Sequence, residues 1–452
     1  MKLALPGDTV YAEAGTYEIG DMIQHENSYK TSTNALLRAR VVITNGVSLM
    51  SRRGPEVTFI KGKSATTDLD GFGGGSDALR CVYMYPDTRL EGFTLTGGRS
   101  IGGMDLDDNN RGAGVHGWYL GSSIVKDCII SNCVAARGGG ATHVTAVNCR
   151  FLENRGYHSC AATQHSFHHN CFFDYNVSGE GDVGSYIVGY WRGMCNCTIG
   201  ANNYLNHNNY VIGPSSDNGV QHPQVYNTLV LRGNVYYGSG AAIAGVFTNC
   251  AFTTAAFDAW PTNCIYDEAT IFADPSQLQA DENGVPIPGK NVAIDAADMR
   301  YVDPLYSATD LAGNPRAVNG LRMDIGCYEA DWKNRYASDL GSRLSVSEAS
   351  PAVYETDSRT VALVGDTKVT IDLTGSGTRV ARQSIAFNVI GEGVLTLKVD
   401  GETHEFTDTG ALQMFVSNSK AALRKFEFSF AGTGRAELVN CSSSVGMSLV
   451  IR

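Results

Sequence analysis

The 452-residue sequence predicts an all-β protein, a stacked parallel β-solenoid followed by a small antiparallel β-sandwich. Three observations predict it. The composition, with 51 Gly and 21 Tyr and only 18% charged residues, suits turn-rich strands better than helices. A unit built on Asn-Cys, with an aromatic or β-branched residue two places on and a closing Asn, recurs at slightly over twenty residues. Beyond about residue 343 the recurrence stops, and longer alternating strands joined by Gly, Asp and Asn turns take over.

The solenoid starts near residue 8, where "LALPGDTVYAEAGTYEIG" supplies a first coil. Because a solenoid end needs a polar cap, a capping segment upstream of this coil is expected in the parent protein. "VVITNGVSLMS", "EVTFIKG" and "TRLEGFTLTGG" are short alternating strands between Gly turns and continue the stack with less regularity. The clear repeat then aligns Cys128, Cys149, Cys171, Cys197, Thr228 and Cys250, at steps of 21, 22, 26, 31 and 22 residues. In each unit the Cys position and the residue two further on (Ile130, Phe151, Phe173, Ile199, Val230) share one face of a strand, which points them into the core. Cysteine there is a small buried hydrophobe stacked on its copy in the next coil. The closing residues Asn132, Asn154, Asn176, Asn202 and Asn234 are expected to take the left-handed turn positions, which Asn tolerates. Free thiols follow, with Cys128–Cys133 or Cys195–Cys197 as the alternative bridges; residues two apart on a strand project in parallel and miss bridge geometry.

The domain plan is a solenoid over 1–332, a linker over 333–342 and a sandwich over 343–452. A net charge of −11 and a pI near 5.4 exclude a nucleic-acid partner, which needs a basic stripe. No run reaches the roughly 20 apolar residues of a membrane span, and the start "MKLALPGDTVY" lacks the pattern of a signal peptide. The absence of a C-x-x-C pair removes a zinc ribbon.

Several stretches resemble the bacterial right-handed parallel β-helix proteins of the pectate-lyase-like superfamily, in particular the "choice-of-anchor Q" type. They are "PGDTVYAEAGTY", "ITNGVSLMS", "RGGGATHVTAVNC" and, most closely, "TDLAGNPRAVNGLRMDIGCYE" from Thr309 to Glu329, preceded by "NVAIDAAD". The resemblance implies the fold over residues 6–330 and a bacterial, extracellular or cell-surface protein. It leaves function open, because the superfamily holds lyases, hydrolases, adhesins and binding modules. A looser likeness, of architecture and composition alone, is to the β-helix xylan-binding modules of gut bacterial xylanases.

Aromatic residues give the strongest functional signal. Trp118, Tyr119, His143, His165, Tyr190 and Trp191 fall shortly before the aligned Cys of successive coils, and Gln164 lies among them. Stacking therefore files them along one flank, where flat rings suit the C–H face of a pyranose and polar neighbours suit its hydroxyls. Glycoside hydrolysis instead needs two carboxyl groups about 5 to 9.5 Å apart, and Asp174, Glu180 and Asp182 are the acids for that role. Uronate lyase chemistry is disfavoured, since no Lys occurs from Asp127 to Gly289. Asp105, Asp107 and Asn109 have the alternating oxygen pattern of a calcium loop, without the closing Glu. His158, His165, His168 and His169 invite a transition-metal reading that isolated strand histidines explain equally well.

These residues point to a monomeric, non-catalytic module that binds a neutral or weakly charged plant-wall polysaccharide such as xylan, needs no cofactor beyond a possible calcium ion, and is covalently linked to a catalytic module. A polysaccharide-cleaving enzyme, hydrolase before lyase, is the alternative, and an adhesin or spacer the third reading.

Overall fold

The computed structural model describes residues 4–24, 37–68, 71–100, 110–118, 122–179, 186–189, 193–205, 210–213, 224–231, 234–235, 245–253, 264–294, 296–301, 309–313, 323–330, 344–346, 353–355, 360–364, 367–372, 382–399, 401–417 and 425–444. The chain divides into two compact units, Met1–Glu329 and Ala330–Arg452.

The first unit is a parallel β-helix. Each coil passes in turn through sheet A (ten strands, Thr9–Ala12 to Cys264–Tyr266), sheet B (ten strands, Gly15–Tyr17 to Ile271–Ala273) and sheet D (nine strands, Met22–Gln24 to Asn234–Val235). Four middle coils insert a strand between B and D, which together form sheet C: Val134–Arg137, Arg155–Ser159, Val177–Ser178 and Tyr204–Leu205. All of these ladders are parallel except the pairing of Met22–Gln24 with Leu37–Ile43.

Register aligns the repeat as the sequence predicts. Ile129, Arg150, Phe172, Thr198, Leu229 and Ala251 are successive partners, so the residues just before them (Cys128, Cys149, Cys171, Cys197, Thr228, Cys250) occupy one file. That file and the file of Ile130, Phe151, Phe173, Ile199 and Val230 are buried in one continuous core. Phe151 stacks on Phe173 at 5.0 Å, near the ordinary strand spacing. The ten cysteines whose side chains are described are all free. Burial is the main cause that pushes up the thiols of Cys81, Cys128, Cys171 and Cys250, and that of Cys160 to about 12.

The asparagines divide their work differently from the expectation. Of the closing residues, Asn132 takes a left-handed backbone (φ 50°), whereas Asn154, Asn176 and Asn202 do not. Asn154 and Asn176 turn inward with Asn203 to form an amide ladder. Asn154 Nδ2 donates to Asn176 Oδ1 (3.2 Å), Asn176 Nδ2 to Asn203 Oδ1 (3.1 Å), and the three amides also donate to Ile130, Phe151 and Phe173 carbonyls at 2.8–2.9 Å. The left-handed corner between A and B belongs instead to the residue before each Cys: Asp127, Asn148, Asn170, Asn196, Asn227 and Asn249, with φ of 46–52° apart from 56° at Asn170. Spacing marks both asparagines of a unit but does not say which one faces in.

The described parts of the segment Pro275–Glu329 fold back over the outer face of sheet B. Leu278, Ala293, Met323 and Ile325 pack on Leu229 and Ala251, and Cys327 and Tyr328 pack on Phe172. Backbone contacts fix it: Gly326 N donates to Asn227 O (2.9 Å) and Cys327 N to Thr198 Oγ1 (3.0 Å). The second unit is a sandwich of two five-stranded antiparallel sheets around a core of Leu363, Phe387, Leu397, Phe426, Phe428 and Leu438.

Candidate functional site

The outer face of sheet D is polar. Its strands alternate, so Val82, Val115, Ala141 and Thr163 point into the core and their next neighbours, the mutually paired Tyr83, His116, Thr142 and Gln164, point out. Although outward, this second file is buried, with His116 and Thr142 at 0% exposure and Gln164 at 1%. Among the described residues, Thr142 Oγ1 and Gln164 Oε1 are buried without a hydrogen-bond partner. An unpaired buried polar atom costs about 1–3 kcal/mol, so the face is not arranged for stability alone. Two left-handed glycines bring the chain onto it: a Cβ at Gly112 (φ 57°) would meet Thr142 Cγ2 at 2.7 Å, and one at Gly138 (φ 59°) would meet Gln164 Cβ at 3.1 Å.

Rings gather where sheet D turns into sheet A. Trp118 stacks on Tyr85 at 5.4 Å, and His143 stacks on His165 at 4.9 Å with an interplanar angle of 6°. Between these pairs Tyr83 stacks on His116 (5.4 Å), whose edge faces His143 at 6.1 Å. Trp118, Tyr85 and His165 are half-buried, and Phe167, two residues past His165, is 38% exposed. His143 is covered (2% exposed) and held at φ 57°; His165 is at φ 51°. Of the flank expected from the sequence, Trp118, His143, Gln164 and His165 therefore come together, with His143 and Gln164 beneath the surface. Tyr119, Tyr190 and Trp191 lie outside the described residues. Tyr83, Tyr85, His116, Thr142 and Phe167 were not singled out. Strand alternation carries the signal for the first four.

The remaining candidates separate. Asp174 is 2% exposed and both its oxygens accept from Asn202, Oδ1 from the backbone N (2.8 Å) and Oδ2 from Nδ2 (2.8 Å). It borders an open cleft of about 730 Å³ between the outer face of sheet B and the hairpin of Leu278–Ala280 with Pro286–Asn291. Tyr175 and Phe172 line that cleft on one side, Asp281 and Glu282 on the other. Glu180 and Asp182, and the calcium candidates Asp105, Asp107 and Asn109, lie outside the described residues. Among the described residues no group of three or more His, Cys, Asp or Glu is placed to hold a metal ion. The histidines scatter: His168 points into the core, where its Nε2 meets Thr163 Oγ1 at 2.9 Å, while His165 stacks on the outside. Burial, with the charge of neighbouring His169, lowers the His168 pKa to about 3, so its imidazole is neutral.

No helix among the described residues is long and apolar enough to cross a membrane. No protein-family model matches the chain, and no curated protein matches it significantly.

Proposed function

We propose that this chain is a non-catalytic polysaccharide-binding β-helix that holds a neutral or weakly charged plant-wall glycan such as xylan along the corner from sheet D to sheet A, in a bacterial protein working outside the cell. The observation that carries this reading is the group of partly open rings at this corner, Trp118 stacked on Tyr85 in one pair of neighbouring coils and His165, stacked on the covered His143, in the next, with Phe167 exposed two residues beyond. Open rings presented by neighbouring coils suit an extended chain of pyranoses, whose C–H faces stack while hydroxyls reach polar neighbours. A formal charge of −11 disfavours polyanionic chains.

Affinity electrophoresis against soluble neutral and acidic polysaccharides, run beside a reducing-end assay, tests it. Retardation by a neutral glycan without product is the expected result. Trp118→Ala and Phe167→Ala should each weaken retardation about three- to tenfold, the worth of one ring contact; unchanged mobility in both variants moves the glycan off this corner. A second reading, hydrolysis, draws on Asp174, Asp281 and Glu282 bordering one cleft. Product released from any glycan, and lost in Glu282→Gln, would replace the first reading with the second.

A further inference from the structure

The cleft on sheet B is a separate place on the same solenoid, and three of its features go beyond what the fold requires. The first is Tyr175. Register aligns it with Asn132 and Glu153 at the corner after sheet B, and all three are left-handed, at φ of 50°, 56° and 56°. Asn adopts that backbone at little cost, whereas a bulky aromatic does so uncommonly and against strain. Tyr175 nonetheless leaves 49% of its surface exposed at the cleft, and its ring stacks on no other ring among the described residues. The coil has no packing reason for a tyrosine here.

The second feature is a set of prepared hydrogen-bonding groups. Asp174 uses both oxygens to hold Asn202, 28 residues along the chain, and Asn202 lies exposed at the cleft with its side-chain oxygen not used in those bonds. Opposite it, the Gln279 side chain also lines the cleft, with no hydrogen bond to its amide among the described residues. The hairpin tip that carries this wall is fixed, since Asp281 Oδ1 accepts from Asn283 N and Val285 N at 2.9 Å each. Two glycines keep the cleft open and shaped: a Cβ at Gly200 would collide with the Asp174 carboxylate, and one at Gly284 with the Phe172 ring.

The third feature is charge. Asp174, Asp281 and Glu282 line the cleft, and no Lys, Arg or His does so among the described residues. A ligand carrying carboxylates or sulfates would meet repulsion with no compensating cation. The volume, about 730 Å³, falls within the range of small-molecule sites, about 300–1,000 Å³.

We propose that this cleft is a second glycan subsite, specific for an uncharged sugar unit: one pyranose stacks on Tyr175, its hydroxyls bond to Asn202 and Gln279, and uronate-bearing sugars are rejected by the carboxylates. It does not depend on the ring file at the corner between D and A. The test is calorimetric titration of the full chain with xylotriose, and with a uronate trisaccharide, for wild type, Tyr175→Ala, Tyr175→Asn and Trp118→Ala. Xylotriose should bind with Trp118 replaced, and lose about tenfold or more in affinity at this subsite in both Tyr175 variants. The uronate trisaccharide should bind at least tenfold more weakly, and Glu282→Gln should narrow that gap. Tyr175→Asn suits the left-handed corner, so a folded Tyr175→Asn protein that binds xylotriose as wild type does overturns the subsite. So does failure of the wild type to bind xylotriose, or equal affinity for the two sugars. If Trp118→Ala alone removes binding, the corner site stands and this subsite falls.

Discussion

Two corners of the same coil solve the same backbone problem with different residues. Between sheets A and B the left-handed position is filled by Asp127, Asn148, Asn170, Asn196, Asn227 and Asn249, and their side chains bond from coil to coil: Asn170 Nδ2 to Asn148 Oδ1 (2.7 Å), Asn249 Nδ2 to Asn227 Oδ1 (2.8 Å). After sheet B the equivalent position holds Asn132, Glu153 and Tyr175, and at the turn from D to A left-handed backbone falls on His143 and His165. The first corner uses the residue type that the geometry favours, and its side chains complete the architecture. At the other two the residue types vary: Glu153 and Tyr175 take this backbone less readily than Asn, the His143 ring is covered, and the Tyr175 ring lies open to the cleft on sheet B. Departure from the favoured residue at Tyr175 sets that corner apart from the one whose side chains hold neighbouring coils together.

The strongest test of that separation is in the interior, where a histidine serves packing only. His168 is neutral in the fold, with its pKa lowered to about 3 against 6.5 for the free side chain. Its contribution is intact above pH 6.5, where both folded and unfolded chains are neutral. It is lost as pH falls from 6.5 toward 3, where only the unfolded chain takes up the proton, at a cost of roughly 5 kcal/mol. Urea unfolding at successive pH values should show stability falling across that window. His168→Leu, which keeps an apolar group beside the stacked Phe151 and Phe173, should remove this part of the slope; identical slopes would mean that His168 is not sealed in.

The next effect in size concerns the inner asparagines. Asn176 accepts from Asn154 N (3.0 Å) and Nδ2 (3.2 Å) and donates to Phe151 O (2.8 Å) and Asp174 O (3.0 Å), all within the core. Asn176→Leu strands several buried partners and should cost about 3 kcal/mol or more, read from the urea midpoint. Asn148→Ala, at the regular corner, should cost less, about 1–2 kcal/mol. The smallest effect has the opposite sign. Tyr175→Asn should leave stability unchanged or raise it by up to about 1 kcal/mol while weakening sugar binding, with thermal unfolding and titration as the two readouts. A clear loss of stability would make Tyr175 part of the architecture and dissolve the contrast between the corners.

Much of this was legible in the chain. The spacing of Cys128, Cys149, Cys171 and Cys197 predicted their file, because residues at a fixed step in a stacked coil must meet. The convergence of Trp118, His143, Gln164 and His165 followed from the same step. Their exposure did not: His143 and Gln164 are covered, and how deep an outward side chain lies depends on what packs over it. The exchange of roles between the asparagines was illegible for a related reason. Both Asn148 and Asn154 sit at turns within one unit, and only the ladder of neighbours above and below decides which amide is buried.

The sequence by itself determined the coil, its inward file and its unbridged cysteines, since alternation along a strand and a step of about 22 residues are local properties that stacking merely repeats. Tertiary structure alone decided that the described parts of Pro275–Glu329 return over sheet B and, with them, that Tyr175, Asn202 and Gln279 share a cleft. The bond from Cys327 N to Thr198 Oγ1 spans 129 residues, and no periodicity encodes a contact made once, between a repeat and a segment that does not repeat.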